Sequence, residues 1–398
     1  MAVLSKGSRA VVWALLRVLP ARQHAVVHGW PDNEANAIEV VRGLGRRYRG
    51  RIYWLLEDIG YLGPEFGATD VADQARIVRV RKKSWHAMWL SLTAELTFFT
   101  HGLYTAVDAP RNRLVVNLWH GDGPKATNDT QLVRSTVVVS ATRLWGLYKA
   151  RIFGIPEDSL AVVGNPRSDQ FVFPLTDDAV MRLGLRPGRR RVLWMPTYRD
   201  ARGPRARAWS DGEKLSSSGD VDRIVRALAE AAERLGFEIL IKPHPLDTDT
   251  YSYAGFRVLR GEELDAARVS LYQLIGNTDA LISDVSSVWV DYMTMNRPIG
   301  FFMPDLEELK SRRGLNVENL EELLPGPLID TPETATAFLE QVYSGSPAVR
   351  PESYPGAAEI GAVTELDCTN RLLDWLTNFQ LTQGRAALFT ATPINVSD

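Results

Sequence analysis

The sequence predicts an α/β protein with two doubly wound domains facing a central cleft. Three observations carry this. Short apolar runs alternate with amphipathic helical stretches, the pattern of a parallel sheet covered on both faces. The pattern breaks at about residues 174–190, where Pro174, a charged helix and Pro187-Gly188 intervene, and then restarts. The length of 398 residues leaves room for two or three domains of about 150 residues each.

The elements follow in chain order. Residues 1–31 hold no acid but four bases, Lys6, Arg9, Arg17 and Arg22. A helix here gathers Arg9, Lys6 and Arg17 within about 80°. It leaves a broad face of Val11, Val12, Trp13, Leu15, Leu16 and Leu19. That pattern fits a helix lying in the headgroup layer of anionic lipid or an ordinary helix capping the first domain. A signal peptide is a weaker reading, because Pro20-Ala21-Arg22 is a poor cleavage site. Strands are then predicted at 23–30, 51–57, 76–80, 96–102, 113–121, 135–141 and 160–165. A helix capped by Asn33 runs to about Tyr48, and another spans Trp145–Phe153. After the break, strands are predicted at 191–199, 238–245, 280–284 and 298–304, with helices at about 220–235, 268–276 and 286–296. Val363–Phe379 has apolar residues at helical spacing, and Cys368 within it reads as a buried small hydrophobe.

Composition removes several classes. Lys and Arg total 46 against 48 Asp and Glu, so a wholesale nucleic-acid binder, with its strong basic excess, is disfavoured. One cysteine excludes an internal disulfide framework and a Cys-based zinc site. No apolar run reaches the roughly 18 residues that span a bilayer. The stretch 182–214 is locally basic, with ten Lys/Arg and three Asp/Glu. It is either a solvated loop or a surface for polyanions or lipid headgroups.

Polar clusters sit where strands are predicted to end, which is where ligands bind in doubly wound sheets. His120, in Trp119-His120-Gly121, has the chemistry to take a proton from a hydroxyl, and Lys125 follows it. The bland alternative is a strand-end histidine satisfied by a carbonyl. Lys242 and His244 leave a strand between prolines as a pyrophosphate clamp. Asp284, Ser286 and Ser287 open a helix whose N–H groups face an anion, or simply cap it. Asp291, one turn on, is placed to accept from ribose hydroxyls. Thr197 and Arg199 offer a hydroxyl and a guanidinium, and Arg313 follows an acidic segment.

Taken in order, these stretches resemble the CDP-glycerol glycerophosphotransferase family of teichoic acid synthesis. The resemblance runs through NLWHGDGPK (117–125), FGIPEDSLAVVGNPRSD (153–169), VLWMPTYRD (192–200), ILIKPHP (239–245), LISDVSSVWVDYMTMNRPIGFF (281–302) and RRGL (312–315). PDNEANAIEVVRGL (31–44) resembles the family's first helix more weakly. The resemblance implies a GT-B-like architecture of two Rossmann-like domains. It implies transfer of a polyol phosphate, glycerol phosphate first, from a CDP-polyol to a lipid-linked glycan or polyol-phosphate polymer, with release of CMP. It matches His120 to the family's base, His244 to its pyrophosphate histidine, Ser286 and Ser287 to its phosphate-binding pair, and Arg313 to its later arginine. No cofactor and no bound metal are expected.

The expected partners are the CDP-polyol, the polymeric or lipid-linked acceptor and an anionic membrane surface, with no nucleic acid. The expected location is peripheral, on the cytoplasmic face of the cell membrane. The expected segments are a basic amphipathic 1–22, an acceptor domain 23–175, a CDP-polyol donor domain 176–345, a helical segment 346–380 packing back across the domains, and a flexible tail 381–398.

Three stretches depart from the family pattern. Asp122-Gly123-Pro124 replaces Thr-Pro-Leu before Lys125, Val285 replaces a tyrosine, and Val290 replaces a phenylalanine. The alternatives are a GT-B glycosyltransferase using a nucleotide sugar and a catalytically silent membrane-associated protein. The latter would have lost a key residue, and none is missing.

Overall fold

The computed structural model describes residues 6–61, 76–105, 107–108, 110, 112–126, 135–197, 219–243, 255–304, 306–307, 310 and 314–391. The chain forms two compact units. One comprises Met1–Gly121, Asn128–Asp169 and Glu365–Asp398; the other comprises Asp122–Thr127 and Gln170–Thr364.

The first unit holds a seven-stranded sheet of β1 (Arg22–His28), β2 (Arg51–Leu56), β3 (Ile77–Arg81), β4 (Ala94–Phe99), β5 (Leu114–Asn117), β6 (Val137–Ser140) and β7 (Leu160–Val162). Every pairing is parallel, and the order is β3-β2-β1-β4-β5-β6-β7. The order reverses between β1 and β4, which makes their carboxyl ends a topological switch point. Alternation places Ala25, Val27, Ile52 and Trp54 against Ile38, Val41 and Leu44 of helix α2 (Ala35–Arg47). Val26, Leu55 and Val80 meet Ala87 and Leu90 of helix α3 (Trp85–Thr93) on the other face. Both faces are therefore dry, as the continuous apolar runs predict.

The second unit repeats the plan with β8 (Arg190–Trp194), β9 (Phe237–Ile241), β10 (Arg257–Val258), β11 (Ala280–Ser283) and β12 (Ile299–Phe301), in the parallel order β10-β9-β8-β11-β12. Here the switch point lies between β8 and β11. The helix Gly219–Leu235 buries Val221, Ile224, Val225, Leu228 and Ala231 against this sheet.

Several boundaries differ from expectation for local reasons. The cap of α2 is Glu34 rather than Asn33, and its carboxylate accepts from the Ala37 N–H at 2.9 Å. The strand expected to reach residue 121 ends at Asn117, because the Asn117 side chain accepts from the Trp119 N–H (2.9 Å) and Trp119 takes φ 53°. The helix expected over 286–296 is a short α-helix, Val288–Tyr292, followed by one 3-10 turn that Asn296 ends at φ 48°. The two-residue edge strand β10 carries too few residues to show a period, and the sequence gives no sign of it.

The C-terminal helix Cys368–Thr382 belongs to the first unit, where Leu372, Leu373 and Leu376 join the α2 core. Asp169 receives the Cys368 and Thr369 N–H groups at 2.6 and 2.9 Å. Buried Arg47 donates to the carbonyls of Thr390 (2.7 Å) and Asn370 (3.2 Å) and pairs with Asp374 at 2.5 Å. Part of the stretch expected to be a loose tail is anchored as well: Phe389 is buried in the same core. Residues 392–398 lie outside the described residues.

The N-terminal helix α1 (Lys6–Val18) divides its apolar face. Val12 and Leu16 pack with Leu92 and Val107, while Val11, Trp13, Leu15 and Val18 stay exposed. Trp85 and Trp89 of α3 are exposed too, at 92% and 43%. Arg17 lies 3.6 Å over the Trp13 ring and Arg22 lies 5.5 Å from the Trp89 ring. Among the described residues, no helix is long and apolar enough to cross a membrane.

Candidate active site

Three adjacent strands of the first unit, β1, β4 and β5, run into His28, His101 and His120 at their carboxyl ends. His28 is buried, and burial, reinforced by Lys82 and His101, lowers its pKa to about 3. Its Nε2 accepts from the Tyr104 N–H at 3.3 Å. His101 and His120 stack face to face, with ring centroids 4.0 Å apart and planes within 12°. The His120 ring also lies 4.2 Å from the Trp119 ring.

His120 is exposed to solvent, and the protein packed against its ring still desolvates it in part. That desolvation is the main cause holding its pKa below the ordinary value; His101 and Arg167 push the same way, and a hydrogen bond to the Thr100 carbonyl opposes them. The imidazole is therefore neutral at physiological pH and able to accept a proton. Buried Arg167 donates to the His120 carbonyl at 2.7 Å. The Arg167 N–H is received by Asn36, whose amide donates to Glu34 (3.1 Å) and to the Trp119 carbonyl (3.3 Å). The main chain carrying the base is thus tied to the start of α2 and to the 165–169 segment.

In the second unit, Thr197 follows β8 and Asp284 follows β11, on the two sides of the switch point. Buried Asp284 accepts from the Thr197 N–H (2.7 Å), the Thr197 hydroxyl (2.5 Å) and the Ser286 N–H (2.9 Å). Its carboxylate ties the two strand ends together and fixes the turn bearing Ser286 and Ser287. The Ser287 hydroxyl makes no capping bond to the helix that follows, so the capping alternative does not consume it.

The 122–126 segment lies against this turn. Gly123 takes φ 150°, and a Cβ there would stand 3.5 Å from the Ser287 Cα. Lys125 forms an antiparallel bridge with Leu315. The Asn316 amide donates to the carbonyls of Gly123 (3.3 Å) and Lys125 (3.0 Å), and its N–H donates to Pro124 at 2.7 Å. Three stretches distant in sequence therefore meet in one unit.

Other expected residues fare differently. Lys242 is buried, its ammonium donates to the Pro243 carbonyl at 3.1 Å, and desolvation lowers its pKa. Asp291 is 1% exposed, so its carboxylate is closed to a ribose hydroxyl in this arrangement. Arg199, His244 and Arg313 lie outside the described residues. The described arginines of the basic stretch are largely paired: Arg182 with Asp178, Arg186 and Arg189 with Glu233, and Arg190 with Asp279. Those pairs argue for a solvated, self-compensated face there. No group of metal-ligating side chains occurs among the described residues.

Sequence reading missed His101, Asn36, Arg167 and Asn316. His101 closes a predicted strand as His120 does, and that shared position was the available signal. The other three act through main-chain contacts between distant segments, which spacing does not reveal.

Two doubly wound units, each with polar side chains at its switch point, define a GT-B-like fold. The chain belongs to the CDP-Glycerol:Poly(glycerophosphate) glycerophosphotransferase family, whose sequence model matches residues 47–352. It is 23% identical over 289 residues to a teichoic acid poly(glycerol phosphate) polymerase of Bacillus spizizenii, covering 66% of this chain and 70% of that one. It is 26% identical over 248 residues to the polymerase of the same description from Staphylococcus epidermidis, covering 56% of this chain but only 33% of the relative. The solved structure of the wall teichoic acid polymerase TagF aligns over 95% of this chain and 93% of its own, with a TM-score of 0.66 at 17% identity.

Proposed function

We propose that this chain transfers a polyol phosphate, glycerol phosphate foremost, from a CDP-polyol to a hydroxyl of a polyol-phosphate polymer or lipid-linked glycan. The observation that carries this is the meeting of Gly123–Lys125, Thr197, Asp284–Ser287 and Gly314–Asn316 in one unit, in a chain whose other unit presents a neutral histidine. Ser286 and Ser287 donate to phosphate oxygens. Lys125, Lys242, His244, Arg199 and Arg313 neutralise the pyrophosphate. His120 removes the acceptor hydroxyl proton as that oxygen attacks the polyol-bearing phosphorus. The bond from this phosphorus to the bridging oxygen breaks, and CMP leaves with the electron pair. Positioning and charge neutralisation supply most of the rate, as in other phosphoryl transfers.

The test supplies CDP-glycerol, CDP-ribitol and UDP-sugars separately with a polyol-phosphate acceptor and identifies the nucleotide released. CMP from a CDP-polyol is expected. A nucleoside diphosphate from a sugar nucleotide would transfer the protein to the glycosyltransferase class.

The same reading places the protein on the cytoplasmic face of the membrane as a peripheral enzyme. The exposed Val11, Trp13, Val18, Trp85 and Trp89, with Arg17 and Arg22 beside two of the tryptophans, have the aromatic and basic chemistry of a headgroup-layer contact. Sedimentation with vesicles should show binding to anionic lipid and at least tenfold weaker binding after W13E and W85E together. Equal sedimentation of the double variant would remove this surface from the account.

A further inference from the structure

We infer that His101 is a positioning residue for His120: a flat aromatic plate that fixes the ring of the base. The inference rests on the reading of His120 as the proton acceptor. An exposed imidazole is free to turn about its side-chain bonds. The His120 ring is exposed, and the 4.0 Å, 12° stack on His101 removes that freedom.

His101 is itself held. Its Nδ1 lies 2.9 Å from the Thr100 hydroxyl, and Trp30 meets it in a T-shaped contact at 5.6 Å. Thr100, which is fully buried, thus holds the His101 ring through its hydroxyl.

The surroundings favour a neutral plate. Lys82, Arg167 and Lys149 are the cations acting on this pair, and His28 lies beyond His101. Buried Glu34 faces Arg167, and burial raises its own pKa. Desolvation, with Arg167 and Lys82, lowers the pKa of His101 to about 4. Two neutral imidazoles stack without repulsion, whereas protonating both would set two like charges 4.0 Å apart.

The experiment compares H101F with H101A in the full-length enzyme, measuring kcat, KM for CDP-glycerol and the pH dependence of kcat. Phenylalanine keeps a flat ring without titrating, so kcat within about threefold of wild type is expected. Alanine removes the plate, so kcat should fall about 10- to 100-fold, the cost of a misplaced group. KM should stay unchanged, and the acid limb of the profile should move to higher pH, because the ring face that His101 covers is opened to water.

Wild-type kcat and pH profile in H101A would overturn the inference. So would a loss in H101F as large as in H101A, because that would assign His101 a proton rather than a plate. If H120A is inactive while H101A behaves as wild type, the plate fails and the base stands. An active H120A removes the base reading itself.

Discussion

H120A is expected to lower transfer from CDP-glycerol by about 10²- to 10⁴-fold, the range a positioned general base contributes, while leaving donor affinity near wild type. The side chains assigned to the donor, from Lys125 to Arg313, belong to the second unit, whereas His120 belongs to the first. Removing the imidazole therefore takes away a proton acceptor without touching a phosphate contact. H120N tests the same point with less loss of packing against Trp119 and His101. Calorimetric titration with CDP-glycerol separates the two quantities. A parallel loss of affinity and rate would assign His120 to the donor instead.

The sign of the pH response follows from the same group. The pKa of His120 is lowered, so the base stays unprotonated through neutral pH, and activity is lost only in acid. His28, buried and lowered to about 3, adds a stability effect. The unfolded histidine takes up a proton near 6.5 and the folded one does not. The first unit is therefore fully stable above pH 6.5 and is destabilised as pH falls from 6.5 toward 3.

D284A carries the second large effect, on stability and donor binding together. It strands three donors, the Thr197 N–H, the Thr197 hydroxyl and the Ser286 N–H. Buried groups left unpaired cost about 1–3 kcal/mol each. Partial solvation of the half-buried Ser286 turn brings the expected loss to about 3 kcal/mol, or about 10 °C in Tm for a unit of this size. The turn that aims Ser286 and Ser287 loses its tie to β8, so affinity for CDP-glycerol should fall at least tenfold. D284N keeps one acceptor oxygen and should lie between. Unchanged melting and affinity in D284A would show that the tie between β8 and β11 is dispensable.

Much of the fold was legible because buried parallel strands are continuous apolar runs. VVH at 26–28, RIYWLL at 51–56 and ALIS at 280–283 announce themselves by composition. The edge strand β10, with two half-exposed residues, does not. The site was legible in part. His120 and Ser286-Ser287 stand at strand ends next to Gly or Ser turns, where chemistry collects in such folds. Asp284 is expected among the phosphate contacts; burial and the three donors it accepts from make it the knot that shapes the turn. Asp291 was read as facing a ribose, but helical spacing fixes only its face, and packing closes that face. His101 escaped notice because its contact is a ring stack between two strands, a register that one sequence does not encode.

The most direct test of the central claim is the stoichiometry of one reaction mixture: CMP released against phosphate bound into the acceptor, with doubly labelled CDP-glycerol and wild-type enzyme, then H120A. The account predicts one CMP for each glycerol phosphate incorporated, and both products lowered together by about 10²- to 10⁴-fold with H120A. CMP release without incorporation, or equal turnover by H120A, would contradict it.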